Sequence, residues 1–305
     1  MSDAVSRILD FYESDNPGTK ANIARILLHG RLGGTGRVLI LPVDQGSEHG
    51  PDKSFLPNPP AYDPHYHFQL ALDAGLNAFA GPLGLIEAGA STFAGRIPLI
   101  LKLNNANGLF PAAMPKDQAV TASVEDALRL GCCAIGLTIY PGSAKSYDML
   151  EEARALIAQA KRYGLATVVW SYPRDGDLTP AGETAIDICA YATHIAALLG
   201  AHIIKVKLPT EHIEQKGLDA LYSSHGLQLG TLAERVRHVM KSAFNGRRIV
   251  VFSGGGRKDE EEILDEARAI RDGGGTGSII GRNSFQRPKA EAVSLLSKVL
   301  DIYEQ

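Results

Sequence analysis

Eight short runs of β-branched and apolar residues recur along this chain, and the stretches between them carry helical periodicity. The runs are Val38 to Val43, Ala78 to Ala80, Leu99 to Leu103, Cys133 to Ile139, Ala166 to Trp170, Ile203 to Lys207, Ile249 to Phe252 and Ser278 to Ile280. Segments such as Ser146 to Tyr163, Thr184 to Leu199 and Asp259 to Asp272 repeat apolar residues at helical spacing. Strand alternating with helix implies parallel strands joined by right-handed crossovers, and eight such units close a (β/α)8 TIM barrel. The competing architecture is a doubly wound open sheet, which places phosphate-binding glycines after its first strand. Here the glycine-rich turns come after the seventh and eighth runs.

A length of 305 residues suits one barrel of about 250 residues with an extension. The expected organisation is an N-terminal helical extension over 1–36 and a barrel over 37–305. Asn16-Pro-Gly18 is a turn within the extension, and Gly33-Gly-Thr-Gly36 is a flexible lead-in to the first strand. The extension either caps the barrel bottom or makes an oligomer contact. No long linker or low-complexity segment marks a second domain.

The net charge is −3 and no basic block is present, so a nucleic-acid partner is not expected, whereas small anions remain compatible. The three cysteines, Cys132, Cys133 and Cys189, form neither a disulfide framework nor a zinc ribbon and read as core residues of a reduced protein. The first ten residues are acidic and amphipathic, without a basic start and apolar run. A soluble, cytoplasmic protein that contacts no membrane is expected.

Barrel active sites lie at the C-terminal ends of the strands, so the residues just past each run matter most. After the first comes Asp44-Gln-Gly-Ser-Glu-His49, after the third Asn104-Asn105, after the fourth Tyr140-Pro-Gly-Ser143, and at the fifth Trp170-Ser-Tyr-Pro-Arg174. The sixth ends on Lys205 and Lys207, whose spacing points both ammonium groups to one face. Desolvation and a nearby cation favour a neutral amine, and a neutral lysine can attack a carbonyl to form a Schiff base. A solvated strand end is the plainer alternative. Lys102 is a second inward amine: a nucleophile, the cation that depresses Lys205, or a ligand of a substrate oxygen.

Ser253-Gly-Gly-Gly-Arg257 and Gly281-Arg-Asn283 come after the last two runs, where barrels often bind phosphate through backbone N–H groups. Ser253, Gly254, Gly255, Gly281 and Arg282 are therefore the expected phosphate ligands. Asp44 is either a helix cap or a catalytic carboxylate. Tyr172 and Trp170 share one parity, so the phenol can transfer a proton while the indole packs on substrate. Both could equally be core aromatics. Glu183 opens the next helix or supports the site from behind. His65 and His67 form the only close histidine pair and lack an assignable third ligand, so no metal and no cofactor are expected.

These segments resemble the archaeal-type class I fructose-bisphosphate aldolases, the DhnA family, also found in bacteria. The resemblance is carried by Leu41-Pro-Val-Asp-Gln-Gly-Ser-Glu-His-Gly-Pro51, Ile97-Pro-Leu-Ile-Leu-Lys-Leu-Asn104, Gly136 to Ser143, Val168 to Arg174, Ile203-Ile-Lys-Val-Lys207, Val251 to Gly256 and Gly281-Arg-Asn283. It implies a TIM-barrel lyase of glycolysis and gluconeogenesis that acts on a phosphorylated sugar. Lys205 would form the Schiff base, with Asp44 and Tyr172 catalytic and the two glycine loops binding phosphate; Trp170, Lys102 and Lys207 are expected to bind substrate from their own places on the strands. A homo-oligomer is expected. Gln45 stands where some archaeal relatives carry histidine, and the stretch before residue 37 is longer than in compact archaeal members. Relatives also include an aminodideoxyheptulosonate synthase and a thiolase, so another Schiff-base reaction on a phosphosugar is an alternative. A sugar-phosphate-binding regulatory barrel is the non-enzymatic one.

Overall fold

The computed structural model describes residues 1–111 and 113–305. Its strands are β1 (Val38–Pro42), β2 (Ala78–Pro82), β3 (Leu99–Lys102), β4 (Ala134–Ile139), β5 (Ala166–Ser171), β6 (Ile203–Lys207), β7 (Ile249–Ser253) and β8 (Gly277–Ile279). All pair in parallel, each with its neighbour in sequence, and β1 pairs with β8 to close the barrel. Every run read as a strand is one. A two-stranded hairpin, Asn104–Asn105 with Ala119–Val120, stands beyond β3 in addition to the expected elements. Two-residue strands leave no periodic trace in sequence.

Strand parity divides the core in two. One set, including Leu39, Leu41, Phe79, Leu101, Ile135, Leu137, Val169, Ile204 and Phe252, packs against the surrounding helices. The other, including Val38, Ile40, Ala80, Ile100, Val168, Ile203, Val251 and Ile279, fills the barrel interior. Strands buried on both faces need apolar residues at both parities, hence the continuous apolar runs. Where the interior parity continues past the strand ends, it reaches Asp44, Lys102, Tyr140, Trp170, Tyr172, Lys205, Lys207, Ser253 and Gly281.

The N-terminal residues close the opposite end. Helix α1 (Asp3–Asp10) is capped by the Ser2 hydroxyl and α2 (Pro17–Leu28) by the Asn16 side chain. Val5, Tyr12, Ile23, Ile26 and Leu27 are buried in the same cluster as the interior strand residues. Each aliphatic side chain so buried contributes about 2 kcal/mol, which offsets the entropy of ordering two short helices. Polar contacts fix the register: Tyr12 Oη donates to the His202 carbonyl at 2.6 Å, and His202 Nε2 meets Asp15 at 2.9 Å. Of the two roles expected for this stretch, capping the barrel bottom is the one these contacts describe. The three cysteines are buried and free. Among the described residues, no helix is long and apolar enough to cross a membrane.

Candidate active site

A cavity of ≈ 270 Å³ opens at the C-terminal ends of the strands, lined by Asp44, Glu48, Tyr140, Trp170, Tyr172, Arg174, Lys205, Lys207, Ser253 to Gly256, Gly281 and Arg282, among others. Ligand pockets run from about 300 Å³ upward, so this one suits a small metabolite. Of the catalytic and substrate-binding residues expected from the sequence, all but Lys102 line it.

Lys205 is 6% exposed, with its ammonium 5.7 Å from the Trp170 ring centroid and 5.3 Å from that of Tyr172. Burial pushes its amine down to about 8, against the attraction of Asp44 and Glu48, while the Arg282 guanidinium pushes the same way as burial. The cation acting on Lys205 is thus Arg282. Lys207, two residues along, turns to Glu183 at 3.2 Å, and Arg174 shares that carboxylate at 2.6 Å. Glu183 lies in a 3-10 turn, Gly182–Thr184, so its carboxylate is spent on these two cations at the cavity rim.

Lys102 lies behind the cavity wall, 1% exposed, with its ammonium 3.4 Å from Asp44 Oδ2 and 5.5 Å from the Trp170 ring. Asp44 precedes the short helix α3 (Gln45–His49) but makes no capping hydrogen bond with its side chain. Its carboxylate turns into the barrel instead. Burial alone would raise that carboxyl, but Lys102 and Lys205 more than reverse the effect and hold it below the usual range. Trp170 separates the two lysines, and its position depends on Gly136 of β4. A Cβ there would sit 2.5 Å from the indole ring.

Tyr172 is half-buried, and burial pushes its phenol up, with the Ser253 hydroxyl opposing and Asp44 and Glu48 reinforcing the rise. It is therefore a proton donor at neutral pH. The Arg174 guanidinium lies 5.7 Å from its ring.

The two glycine loops hold each other. Arg282 Nη2 donates to the Gly255 carbonyl at 3.0 Å, Asn283 Nδ2 to that of Gly256 at 3.0 Å, and the Lys258 N–H to Asn283 Oδ1 at 2.9 Å. A Cβ at Gly254 would come within 2.6 Å of Glu266 Oε2, and one at Gly281 within 2.9 Å of the Pro42 carbonyl. Backbone thus excludes a side chain at Gly281, whereas at Gly254 the Glu266 carboxylate would have to swing aside; as glycines, both leave backbone open to a ligand. His65 and His67, by contrast, each bond a backbone carbonyl, of Ala88 and Ala61.

Glu48, Tyr140 and Arg174 line the cavity too, though sequence reasoning passes over them. Parity holds the signal for two of them: Tyr140 continues the interior series of β4, and Arg174 that of β5 through Trp170 and Tyr172. Glu48 lies one helical turn after Asp44, which only the existence of α3 makes meaningful.

The chain is similar to several known aldolases. The DeoC/LacD family of aldolases matches residues 38–287. A probable fructose-bisphosphate aldolase class 1 from Chlamydia muridarum is 37% identical over 314 residues, covering 99% of this chain and 88% of its own. A fructose-bisphosphate aldolase class 1 from Thermoproteus tenax is 36% identical over 256 residues, covering 84% of this chain and 86% of its own. Among solved structures, an archaeal fructose-1,6-bisphosphate aldolase, with its catalytic lysine covalently bound to the carbinolamine intermediate of its substrate, matches with a TM-score of 0.77. It is 32% identical, and the match covers 93% of this chain and 99% of that one.

Proposed function

The chain belongs to the DeoC/LacD aldolase family, and from that premise we propose that it cleaves fructose 1,6-bisphosphate reversibly into dihydroxyacetone phosphate and glyceraldehyde 3-phosphate through a Schiff base on Lys205. The observation that carries this reading is the buried Lys205 amine, lowered to about 8, beside a phenol and two open glycine loops. Residues 1–36 are taken as an extension to a catalytic barrel of residues 37–305.

The neutral amine adds to the C2 carbonyl, and loss of water gives an iminium that accepts the electron pair of the breaking C3–C4 bond. The enamine left behind takes a proton at C3 from Tyr172, and hydrolysis then frees the ketone and Lys205. Asp44, paired with Lys102, balances the iminium charge and takes the proton that the C4 hydroxyl loses as it becomes the aldehyde; return of that proton to the Tyr172 phenolate restores both groups. Backbone N–H groups of Ser253 to Gly255, with Gly281 and Arg282, anchor a phosphate and so fix the carbonyl over the amine. Much of the rate gain is positional. Trp170 forms the floor, and Lys207 with Arg174 supplies positive charge at the rim. The test is a coupled assay for the two triose phosphates with and without chelator. Chelator-insensitive cleavage is expected; absent or chelator-sensitive turnover would overturn the reading.

Arg282→Ala separates phosphate binding from imine chemistry. A charge-assisted contact is worth about 1.5–3 kcal/mol, so KM for the bisphosphate should rise roughly 10- to 100-fold. Borohydride trapping of unphosphorylated dihydroxyacetone should fall far less, only by the share that Arg282 contributes to lowering the Lys205 amine. Equal losses for both ligands would make the loop a structural element only.

A further inference from the structure

We propose that Glu266 sets the strength of the phosphate site: by holding the Lys258 ammonium it withholds that cation from a bound phosphate, so that phosphorylated products are released. The proposal rests on the reading given above, because it takes the Ser253 to Gly255 loop as the phosphate anchor. It starts from a charge on the apolar face of a helix. The helix Glu260–Asp272 buries Ile263, Ala267 and Ile270, and Glu266 falls among them, one residue before Ala267. A glutamate is rare in such a stripe unless it is paired.

Glu266 lines the cavity together with those three residues and Phe252. Its side chain is 17% exposed, and its Oε1 accepts a hydrogen bond from the Lys258 ammonium. Oε2 accepts none from any described residue and abuts the glycine loop. A Cβ at Gly254 would lie 2.6 Å from that oxygen and 3.8 Å from Lys258 Nζ. Burial pushes the Glu266 carboxyl up, Lys258 pulls it back, and the Glu262 charge reinforces the rise. Carboxylate and ammonium thus stand side by side against the backbone that receives the phosphate.

A carboxylate in the wall of an anion site repels the ligand, and a cation that it neutralises serves the ligand less. The other cations of the two loops are placed differently. Arg282 lines the cavity and is anchored on the Gly255 carbonyl at 3.0 Å. Arg257 is exposed and borders an adjoining recess with Arg282 and Lys53. Lys258 does not line the cavity, although its ammonium reaches Gly254. Its backbone is fixed, the N–H donating to Asn283 Oδ1 at 2.9 Å and the carbonyl accepting from Arg287 Nη2 at 2.8 Å, so the side chain is the part free to turn. Loss of the Glu266 charge therefore frees an ammonium already beside the loop. Stronger phosphate binding shared by substrate, transition state and product lowers KM without raising kcat, so a damped site favours turnover.

Calorimetric titration with inorganic phosphate reads the site without turnover. Glu266→Gln keeps the shape of the side chain and removes its charge, and it should tighten phosphate about tenfold, the effect of one more charge-assisted contact. KM for fructose 1,6-bisphosphate should fall with it, with no gain in kcat. Lys258→Met strands the carboxylate and should weaken phosphate by a similar factor. Combining the two changes should bring binding back to within about threefold of wild type, as expected of coupled neighbours. The opposite signs of the single variants separate this role from a structural one, since a damaged loop binds phosphate less well in both. Weaker or unchanged binding in Glu266→Gln overturns the proposal. So does a double variant as tight as Glu266→Gln alone, which would assign the gain to lost repulsion and leave Lys258 no part in it. Arg282→Ala tests the underlying reading separately: phosphate binding at the wild-type value in that variant would mean that the loops are not the anchor, and the proposal would fall with them.

Discussion

Lys205→Met is expected to abolish cleavage and imine trapping and, at the same time, to make the protein more stable at neutral pH. The first effect is chemical: among the described residues no other amine lies free in the cavity, since Lys102 is behind the wall on Asp44 and Lys207 is bound to Glu183. With dihydroxyacetone phosphate and borohydride, wild-type protein should be inactivated with the added mass on the peptide containing Lys205. Lys207→Met should still be trapped. Label on Lys207 or Lys102 would move the nucleophile while keeping the mechanism.

The second effect comes from linkage. The Lys205 amine stands at about 8 in the folded protein against 10.5 for the ordinary side chain. Between those values the unfolded chain binds more protons than the folded one, so stability rises with pH across the window. Below about pH 8 the whole cost is present, on the order of 3 kcal/mol. Methionine keeps the length of the side chain and removes the charge. The gain should be on the order of 1–3 kcal/mol at pH 7, because Asp44 loses one of its two cations in exchange. Denaturant unfolding at pH 7 and again near pH 10 measures it: the advantage of the variant should shrink at the higher pH. Equal stability at pH 7 would mean that the amine is better solvated than its 6% exposure implies.

The barrel was legible because each strand is buried on both faces and so writes an unbroken apolar run, and because eight of them alternate with helices. The site was legible through the same geometry: residues that continue the interior parity past a strand end must face the cavity mouth, which singles out Asp44, Trp170, Tyr172, Lys205, Lys207 and Ser253. Charge pairing was not legible. Lys205 and Lys207 look alike in sequence, yet one is buried against aromatic rings and the other is neutralised by Glu183, which arrives from 24 residues upstream. Lys102 shares the inward parity but stops one layer below the cavity, because β3 ends on that residue where β6 runs on to Lys207. Glu48 stayed hidden because its place depends on a five-residue helix too short to show periodicity.

Lys102→Met tests whether that lower layer tunes the nucleophile above it. Asp44 now divides its charge between two ammonium groups, and Lys102 is the one in contact. Without Lys102, the whole of that charge acts on Lys205 and favours its protonated form, so the amine should titrate above the present value of about 8. Imine formation requires the neutral amine. Its rate in single turnover should therefore rise along a limb displaced to higher pH, with a loss near pH 7 of about tenfold for each unit of displacement and recovery in alkali. Stability should fall by about 3–5 kcal/mol, the usual cost of removing one partner from a buried ion pair. Pairing the change with Asp44→Asn removes the stranded charge, and the double variant should regain the stability and carry its limb back to or below the original pH, because Asp44 itself holds the Lys205 amine up, while losing the functions of Asp44. A limb that stays near pH 8 in Lys102→Met, with activity depressed evenly at every pH, would show that Lys102 holds the Trp170 floor in place and leaves the acidity of Lys205 untouched.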